Sequence, residues 1–407
     1  MERGIRMGNG EQLKKNLEYR KRLRKTKNVI AKTILEELER IIGNQSEKII
    51  IVFPSLLDWN IPLFQRPQHI ALNLAKEGVI YLYGTVNIKD QIGTVKEIFP
   101  QCYLVNMKEP EIEEAILSFL QTLKNRIVIH LYSGDLSRGK EFVKACLGKG
   151  FDILYEYVDE LSSEIAGISI PRYAIERHSF LLSNPVCYVV ATADKLYTDI
   201  LQARPPERCA LITNGVDYDH FSQVSTKIPG IMADLKKNGT PIIGYFGALA
   251  SWFDYELVKK LAEQNPSYKI VLIGVDYDGS LKESGLLMYE NIFYPGCIAY
   301  SELPSYAQHF DVSIIPFLVN EVTISTSPIK LFEYMAAGMP VVTTALPECR
   351  KYENIFVAVN HLDFLMKVQV AITMKDDREY RNTLKKEALR NKWGDKAKEI
   401  LNLLKTK

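Results

Sequence analysis

Short apolar runs alternate with amphipathic stretches along this chain, and the alternation begins twice. The first series starts after Lys48, and stretches with helical periodicity such as Glu111–Leu123 and Asp194–Gln202 separate many of its members. Strands that alternate with helices favour a parallel sheet covered by helices on both faces. The runs predicted as strands of this sheet are Ile49–Phe53, Val79–Tyr83, Cys102–Val105, Ile127–Leu131, Ile153–Val158 and Val186–Ala191.

A second series of the same kind follows a polar stretch over residues 214–239. Its predicted strands are Pro241–Phe246, Lys269–Ile273, Asn291–Tyr294, Val312–Pro316 and Val341–Thr343, and its predicted helices are Tyr255–Glu263, Leu303–His309 and Pro328–Ala337. A chain of 407 residues is too long for one ordinary hydrophobic core and suits two domains. We therefore predict an α/β fold in which two Rossmann-like domains face a cleft, with ligands beyond the carboxyl ends of the strands.

The two ends of the chain differ from its middle. Residues 1–47 are predicted as a basic helical extension, in which Glu11–Lys27 holds eight Lys or Arg and two Asp or Glu. This extension either lies on the globular body or contacts an anionic membrane surface, and its thin apolar stripe without aromatic anchors favours the first. The predicted domains are residues 48–218 and 219–375, and residues 376–407 are expected to form C-terminal helices that cross back to the first domain.

Composition and missing motifs exclude several functions. The net charge of +2 does not suit a polyanion binder, so no nucleic acid partner is expected. The six cysteines are scattered, without metal-ligand spacing, which predicts mostly buried free thiols, a reducing cytoplasmic compartment, no metal site and no cofactor. No apolar run reaches membrane-spanning length, so contact with the inner membrane face would be peripheral. No GxGxxG or GxSxG follows a predicted strand, which argues against a dehydrogenase and an α/β-hydrolase.

The segment Ser327–Val342 (SPIKLFEYMAAGMPVV) carries the strongest signal for a ligand. Ser327 is a good N-cap, and Pro328 suits the first position of a helix. Gly338 and Pro340 end that helix after about three turns. Its start presents free backbone N–H groups and a partial positive charge, which together favour a phosphate.

Lys330 and Glu333 lie three residues apart on this helix and therefore share one face. A cation in the first turn opposes the helix dipole unless an anion binds beside it. Glu333 can accept two hydrogen bonds from a ribose diol. A simple surface Lys–Glu pair explains the same residues without a ligand, and from the helix alone this simpler interpretation is favoured.

These segments resemble the donor-binding part of retaining GT-B glycosyltransferases, especially glycosyltransferase family 4 (glycosyl transferases group 1). The resemblance covers roughly Ile49 to Trp393 and rests on the order of several motifs. They are Ile212–Asp217 (ITNGVD), Ile243–Gly247, Val271–Gly274 (VLIG), Asn291–Gly296 with Leu303–Pro304, and Ser327–Val342, while Phe64–His69 (FQRPQH) resembles a subgroup from bacterial cell-surface polysaccharide assembly. It implies that Glu333 binds the ribose and Lys330 the phosphates. The donor-binding residues implied are Gly247, Ala248, Ser325, Thr326, Ser327, Lys330 and Glu333.

Four residues of the first domain are further candidates. Arg66 can make a bidentate phosphate contact from the opposite side of the cleft, while His69 is equally well explained as a packing residue. His130 ends a predicted strand at the ligand edge, where some family members contact the donor sugar with a histidine. Asp159 follows the next predicted strand and is a candidate for binding acceptor hydroxyls. The candidate catalytic residues are thus His130, Asp159 and Lys330, and the candidates on the acceptor side of the cleft are Arg66, His69 and Asp159.

The implied reaction is metal-independent hexosyl transfer from a nucleoside diphosphate sugar, with UDP favoured, to a glycan, lipid-linked or protein acceptor with retention of configuration. The expected setting is bacterial surface glycan or glycoprotein synthesis. Two departures keep alternatives open. Ala248 stands where the family often has Arg, and Ser325 stands eight residues before Glu333, where the family has a glutamate that usually contacts the donor sugar. A nucleotide-sugar 2-epimerase of the same fold and a non-catalytic nucleotide-binding scaffold therefore remain alternative hypotheses.

Overall fold

The structure is a computed structural model that describes residues 27–55, 57–237 and 239–406. Its strands are β1 (Ile50–Phe53), β2 (Ile80–Thr85), β3 (Val95–Phe99), β4 (Cys102–Asn106), β5 (Ile127–Tyr132), β6 (Asp152–Tyr157), β7 (Tyr188–Ala191), β8 (Cys209–Leu211), β9 (Ile242–Phe246), β10 (Lys269–Ile273), β11 (Ile292–Gly296), β12 (Val312–Ile315), β13 (Val341–Thr344) and β14 (Phe356–Ala358). They form one eight-stranded and one six-stranded sheet.

The first sheet has the order β3-β4-β2-β1-β5-β6-β7-β8. Each described pairing within it is parallel except that of β3 with β4, which is antiparallel. The second sheet, in the order β11-β10-β9-β12-β13-β14, is parallel throughout its described pairings. Two parallel-rich α/β domains were predicted from the sequence, and this prediction is confirmed.

Helices pack against both sheets. They are α1 (residues 27–42), α2 (Arg66–Lys76), α3 (Pro110–Gln121), α4 (Lys140–Gly148), α5 (Ser163–Ala166), α6 (Arg172–Ser183), α7 (Asp194–Ala203), α8 (Tyr218–Ser222), α9 (Gly230–Lys236), α10 (Tyr255–Gln264), α11 (Ser280–Glu283), α12 (Leu303–Ala307), α13 (Ile329–Ala337), α14 (His361–Thr373), α15 (Arg378–Leu389) and α16 (Trp393–Leu404). Short 3₁₀ turns add Leu286–Met288, Tyr300–Glu302, Thr323–Ser325 and Cys349–Lys351.

The described part of the N-terminal extension packs on the first domain. Ile34, Leu38 and Ile42 of α1 are buried in the same apolar cluster as Ile50 of β1. The stripe of apolar residues thus covers the body of the protein over residues 27–42. The more basic part of the extension, residues 1–26, lies outside the described residues, and so does the predicted membrane contact. None of the helices described is both long enough and apolar enough to cross a membrane.

The two C-terminal helices pack on different domains, whereas the sequence analysis expected both to pack on the first. Leu384 and Ala388 of α15 join the core of the second domain, and α15 lies against α13. Only α16 crosses back, where Trp393 and Ile400 join the first domain beside α2. Each helix follows its own apolar stripe, and the two stripes face different cores.

The crossing is fixed by contact with the linker between the domains. The amide of Val216 donates to the carbonyl of Asn391 at 2.9 Å, and the amide of Trp393 donates to the carbonyl of Val216 at 3.1 Å. A Cβ atom on Gly215 would lie 2.7 Å from the Asn391 carbonyl oxygen, so this close approach requires glycine. The linker and the crossover therefore form one junction between the two domains.

Candidate active site

Helix α13 lies where the sequence predicted a donor-binding helix, but it begins one residue later. It runs from Ile329 to Ala337, with Pro328 at the N-cap and no side-chain cap. Ser327, predicted as the cap, instead turns its carbonyl to Asn214, whose Nδ2 donates to it at 2.6 Å. Gly338 ends the helix in the left-handed conformation as predicted, with φ +70°. Among the described residues, no side chain caps the first-turn N–H groups.

Lys330 extends from the first turn of α13 towards the carboxyl end of β9. Its Nζ lies 5.2 Å from the centre of the Tyr245 ring and 4.7 Å from that of Phe317. Burial lowers the pKa of this amine to about 8, while the nearby Glu333 acts to raise it. Aromatic faces stabilise a cation only in part, and the described residues provide no carboxylate ion pair for Lys330. Its charge is therefore available to an anionic ligand.

The turn after β9 brings backbone close to this amine. Gly247 has φ +136° and Gly274, after β10, has φ +145°. A Cβ atom on Gly247 would lie 2.7 Å from Lys330 Cε, and one on Gly274 would lie 1.8 Å from the Gly247 carbonyl oxygen. The neighbouring Ala248 is held by its carbonyl, which accepts a hydrogen bond from the Tyr245 hydroxyl at 2.6 Å. These glycines let two turns and one lysine meet at the ligand edge of the sheet.

Glu333 is the second ionisable group on this face of α13. It is only 5% exposed, and no hydrogen bond reaches its carboxylate from the described residues. Burial raises its pKa to about 8; Lys330 acts to lower the pKa and Asp217 to raise it. A buried carboxyl group without partners is costly, and a ligand that donates hydrogen bonds to it would remove that cost. Perturbed groups of this kind are typical of functional sites.

Ser325 and Thr326 do not extend the site in the predicted way. Ser325 is fully buried, and its hydroxyl donates to the carbonyl of Val322 at 2.9 Å. Thr326 approaches the same carbonyl at 3.4 Å. Ser325 therefore stabilises the 3₁₀ turn before α13, and its assignment to direct contact with the donor is wrong in this structure. Its position, eight residues before Glu333, gave no indication of this burial.

Arg66 is not available for the phosphate contact that the sequence suggested. Its side chain is 1% exposed, and its Nε and Nη2 donate to Glu156 Oε1 at 3.0 and 2.7 Å. Its Nη1 donates to the Thr213 carbonyl at 3.1 Å and to Asn214 Oδ1 at 3.2 Å. The guanidinium is thus already paired inside the protein, because β6 places Glu156 beside the start of α2.

Both histidines proposed for the first domain are internal. His130 is fully buried, with Nδ1 2.7 Å from the Tyr81 hydroxyl and Nε2 3.1 Å from Glu156 Oε2, so the expected direct catalytic role is wrong in this structure. His69 stacks on Trp393 at 4.8 Å between ring centres, and burial lowers its pKa to about 3. Of the two readings of His69, the structure favours packing.

Asp159 follows β6, at the carboxyl edge of the first sheet. Its amide hydrogen bonds to the hydroxyl of Ser133 at 3.4 Å, while its carboxylate has no partner among the described residues. Burial raises the pKa of this carboxyl group to about 6, and the charge of Glu160 adds to the rise. The acceptor-binding role of Asp159 therefore stays a prediction, and its carboxylate has no partner among the described residues that would exclude it.

One contact across the cleft was not predicted. Glu348, which follows β13, is 3% exposed and accepts a hydrogen bond at 2.9 Å from the amide of Asp194, the first residue of α7. Lys351 pairs with both carboxylates, at 2.7 Å from Glu348 and 2.8 Å from Asp194. A carboxylate of one domain thus binds the positive end of a helix in the other. The sequence carries no sign of it, because the partners lie 154 residues apart.

We expect Gly274→Ala to destabilise the protein by about 3 kcal/mol or more, since positive φ and overlap with the Gly247 carbonyl add together. Gly279→Ala is a matched control, because Gly279 has φ +85° but no atom of the described part of the chain lies within 4 Å of a new Cβ. It should cost only about 1 kcal/mol. Urea unfolding curves of both variants measure the difference, and equal losses would contradict close contact between the two turns.

Comparison with known proteins identifies the second domain most directly. The family described as "Glycosyl transferases group 1" matches residues 240–368. A Bacillus subtilis protein, TuaH, described as a teichuronic acid biosynthesis glycosyltransferase, is 27% identical over 262 residues. That alignment covers 61% of this chain and 66% of TuaH, slightly less than two thirds of the relative's length.

Solved structures match over both domains. Sucrose-phosphate synthase from Thermosynechococcus elongatus has a TM-score of 0.66 at 16% identity, covering 88% of this chain and 98% of that one. HepE from Anabaena, solved in complex with UDP-glucose, has a TM-score of 0.64 at 15% identity, covering 88% and 99%. At such low identities the likeness establishes the fold, which is the two-domain GT-B architecture.

Proposed function

We propose that this chain, a GT-B protein of the group 1 glycosyl transferases, transfers a hexosyl group from a nucleoside diphosphate sugar to an acceptor hydroxyl. The observation that carries the proposal is the pair on α13. Glu333 is buried and Lys330 is partly buried, both lack an ionic partner among the described residues, and Lys330 stands beside the Gly247 turn. A diphosphate and a ribose diol satisfy these two groups together, since one supplies negative charge and the other hydroxyl donors.

UDP is the proposed nucleotide. HepE was solved in complex with UDP-glucose, and its fold matches 88% of this chain. The setting proposed from the likeness to TuaH is bacterial surface glycan or glycoprotein synthesis, with a glycan, a lipid-linked sugar or a protein as acceptor. The enzyme would act on the cytoplasmic side, where nucleotide sugars are made, and residues 1–26 are the segment proposed for peripheral contact with the inner membrane face.

The chemistry proposed for these residues is largely positioning and charge stabilisation. Glu333 holds the ribose, and Lys330 with the α13 N-terminus stabilises the diphosphate as negative charge develops on it. The acceptor hydroxyl attacks on the face that the diphosphate leaves, which retains the anomeric configuration, and the departing diphosphate takes the hydroxyl proton. We infer that this charge stabilisation needs no resident metal ion, so chelation with EDTA should leave turnover unchanged.

Slow hydrolysis of donor tests the proposal without knowledge of the acceptor. The protein is incubated with a panel of UDP-, GDP-, ADP- and dTDP-sugars, and release of free sugar and nucleoside diphosphate is followed by mass spectrometry. We expect one UDP-hexose to be hydrolysed, and the configuration of the first-formed sugar, read by NMR, reports retention. Binding of a nucleotide without turnover of any sugar would favour a scaffold, and conversion of the sugar to its C2 epimer would favour an epimerase.

The raised pKa of Asp159 predicts that kcat/KM for the acceptor falls at low pH, an acid limb in the pH profile. Its pKa is raised to about 6 by burial, so its carboxylate should accept hydrogen bonds from acceptor hydroxyls only above that pH. At saturating donor, kcat/KM for the acceptor should fall as pH drops through about 6, and Asp159→Asn should remove this limb while lowering the plateau. Glu164→Gln, on the neighbouring helix α5, should keep the limb. A limb that persists in Asp159→Asn belongs to another group.

A further inference from the structure

A network of buried polar contacts runs from the interior of the first sheet to the start of α13. It begins with Tyr81 on β2 and His130 on β5, passes through Glu156 on β6, and reaches Arg66 at the start of α2. Arg66 then meets Asn214 in the linker. None of these side chains belongs to the proposed donor-binding set, and all are nearly or fully buried. Polar networks at this depth are costly unless each member is satisfied.

The charges in this network of buried polar contacts favour one protonation pattern. Arg66 and His130 hold the pKa of Glu156 down to about 2 against the opposing effect of burial, so this group is a carboxylate. Burial holds the pKa of Tyr81 well above its usual value, so its hydroxyl stays protonated and can donate to His130 Nδ1. The imidazole then carries its proton on Nε2, which faces Glu156 Oε2 at 3.1 Å. One carboxylate oxygen, Oε1, accepts both hydrogen bonds from Arg66, whereas Oε2 lies near His130 Nε2 without hydrogen-bond geometry to any described residue.

Arg66 determines which way the amide of Asn214 points. Its Nη1 donates to Asn214 Oδ1 at 3.2 Å, so the oxygen of that amide must face the guanidinium. The Nδ2 group is left to face the second domain, where it donates to the Ser327 carbonyl at 2.6 Å. Ser327 stands two residues before α13, and Asn214 is itself 5% exposed. The bond therefore joins the two domains in a place that excludes most water.

We propose that Arg66 is a positioning residue, whose ion pair with Glu156 orients Asn214 so that the Asn214 amide holds the start of α13 in place for the donor. The inference rests on the proposed function only in taking α13 as the donor-binding helix. Lys330 lies three residues after Ser327, so displacement of that carbonyl displaces the amine that would meet the diphosphate. The first domain thus acts on the donor site through the linker instead of by direct contact.

Asn214→Asp tests this link with little change in shape. The carboxylate keeps an acceptor for Arg66 but loses the N–H group and repels the Ser327 carbonyl. We expect faster hydrogen exchange in the free protein at the amides of Thr326 and Leu331, which are bonded to the carbonyls of Thr323 and Pro328. We also expect the affinity for UDP, measured by calorimetry, to fall at least about tenfold, since an interdomain hydrogen bond and a fixed helix start are both lost.

Asn125→Asp is the matched control. Asn125 is a similarly buried asparagine, 9% exposed, whose Nδ2 donates to the carbonyls of Gln45 and Lys48 within the first domain. It should lose stability without altering exchange at Thr326 and Leu331 or the affinity for UDP. Arg66→Lys, which keeps the charge but loses the planar fork, should move both readouts in the direction of Asn214→Asp.

The outcomes separate the inference from the proposed function. Unchanged exchange at the start of α13 in Asn214→Asp overturns the inference, and so does faster exchange with full affinity for UDP. If Arg66→Lys shows wild-type hydrogen exchange and wild-type affinity for UDP, Arg66 does not position Asn214, and its part of the inference is overturned. If the wild-type protein binds no UDP, the proposed nucleotide fails, and the exchange measurement still decides whether Arg66 and Asn214 hold α13.

Discussion

Glu333→Ala is expected to raise the KM for the sugar donor at least about a hundredfold. A carboxylate that accepts two hydrogen bonds from a ribose contributes about 1.5–3 kcal/mol for each, and 1.4 kcal/mol corresponds to a factor of ten. Steady-state hydrolysis of the donor identified from the panel measures the change. Glu113→Ala removes a carboxylate of comparable burial, 7% against 5% exposed, from the first domain. It should lower stability and leave the donor KM unchanged.

The same residue makes a prediction about stability that distinguishes function from packing. The pKa of Glu333 is raised to about 8 in the folded protein, so its contribution to stability is greatest below the ordinary carboxyl pKa and is lost as pH rises through about 8. In Glu333→Gln no carboxyl group ionises at this position, so the variant does not lose stability in this way. Its free energy of unfolding relative to wild type should therefore increase between about pH 4.5 and 8 and then level off. A variant that binds donor worse yet folds better would identify Glu333 as a residue kept for its ligand.

The architecture was predictable because it depends on local patterns. Buried strands of parallel sheets are short and almost wholly apolar, as in β1 (IIVF) and β10 (KIVLI), and such runs are visible without any knowledge of their partners. The strands that were missed are edge strands. Strand β3 (VKEIF) carries charge and is partly exposed, and β8 and β14 are only three residues long. An edge strand needs fewer apolar side chains, so its signal is weaker.

The predictability of the site residues also depends on whether a local pattern arranges them. Helix α13 brings Lys330 and Glu333 together by its own periodicity, which a sequence reveals. The environments of Arg66 and His130 are set by Glu156, which lies 90 residues from Arg66 along the chain. At the end of a strand or the start of a helix, a side chain can face the cleft or the interior, and only the packed sheet decides. Hence Arg66 and His130 were expected to meet ligands, whereas the packed sheet places both beside Glu156.

Lys330→Met is expected to lower kcat for donor turnover about 10²–10³-fold, the usual cost of removing one group that stabilises developing negative charge. Methionine fills the space beside Tyr245 and Phe317 without carrying charge. Because burial lowers the pKa of Lys330 to about 8, kcat/KM of the wild-type enzyme should fall as pH rises through that value. This fall of kcat/KM at high pH should be absent in Lys330→Met. The control Lys367→Met, which removes a lysine paired with Asp363 on α14, should retain it.

Lys330 and Glu333 interact, so their two pKa values belong to the pair. Ionised Glu333 and protonated Lys330 coexist best near pH 8, where burial has brought both pKa values. The pH profile of kcat/KM should therefore be bell-shaped with its maximum near that pH. Glu333→Gln should lose the acid limb and Lys330→Met the alkaline limb. A profile whose limbs survive both substitutions would mean that the ionisations governing donor use lie elsewhere, and that α13 does not hold the nucleotide.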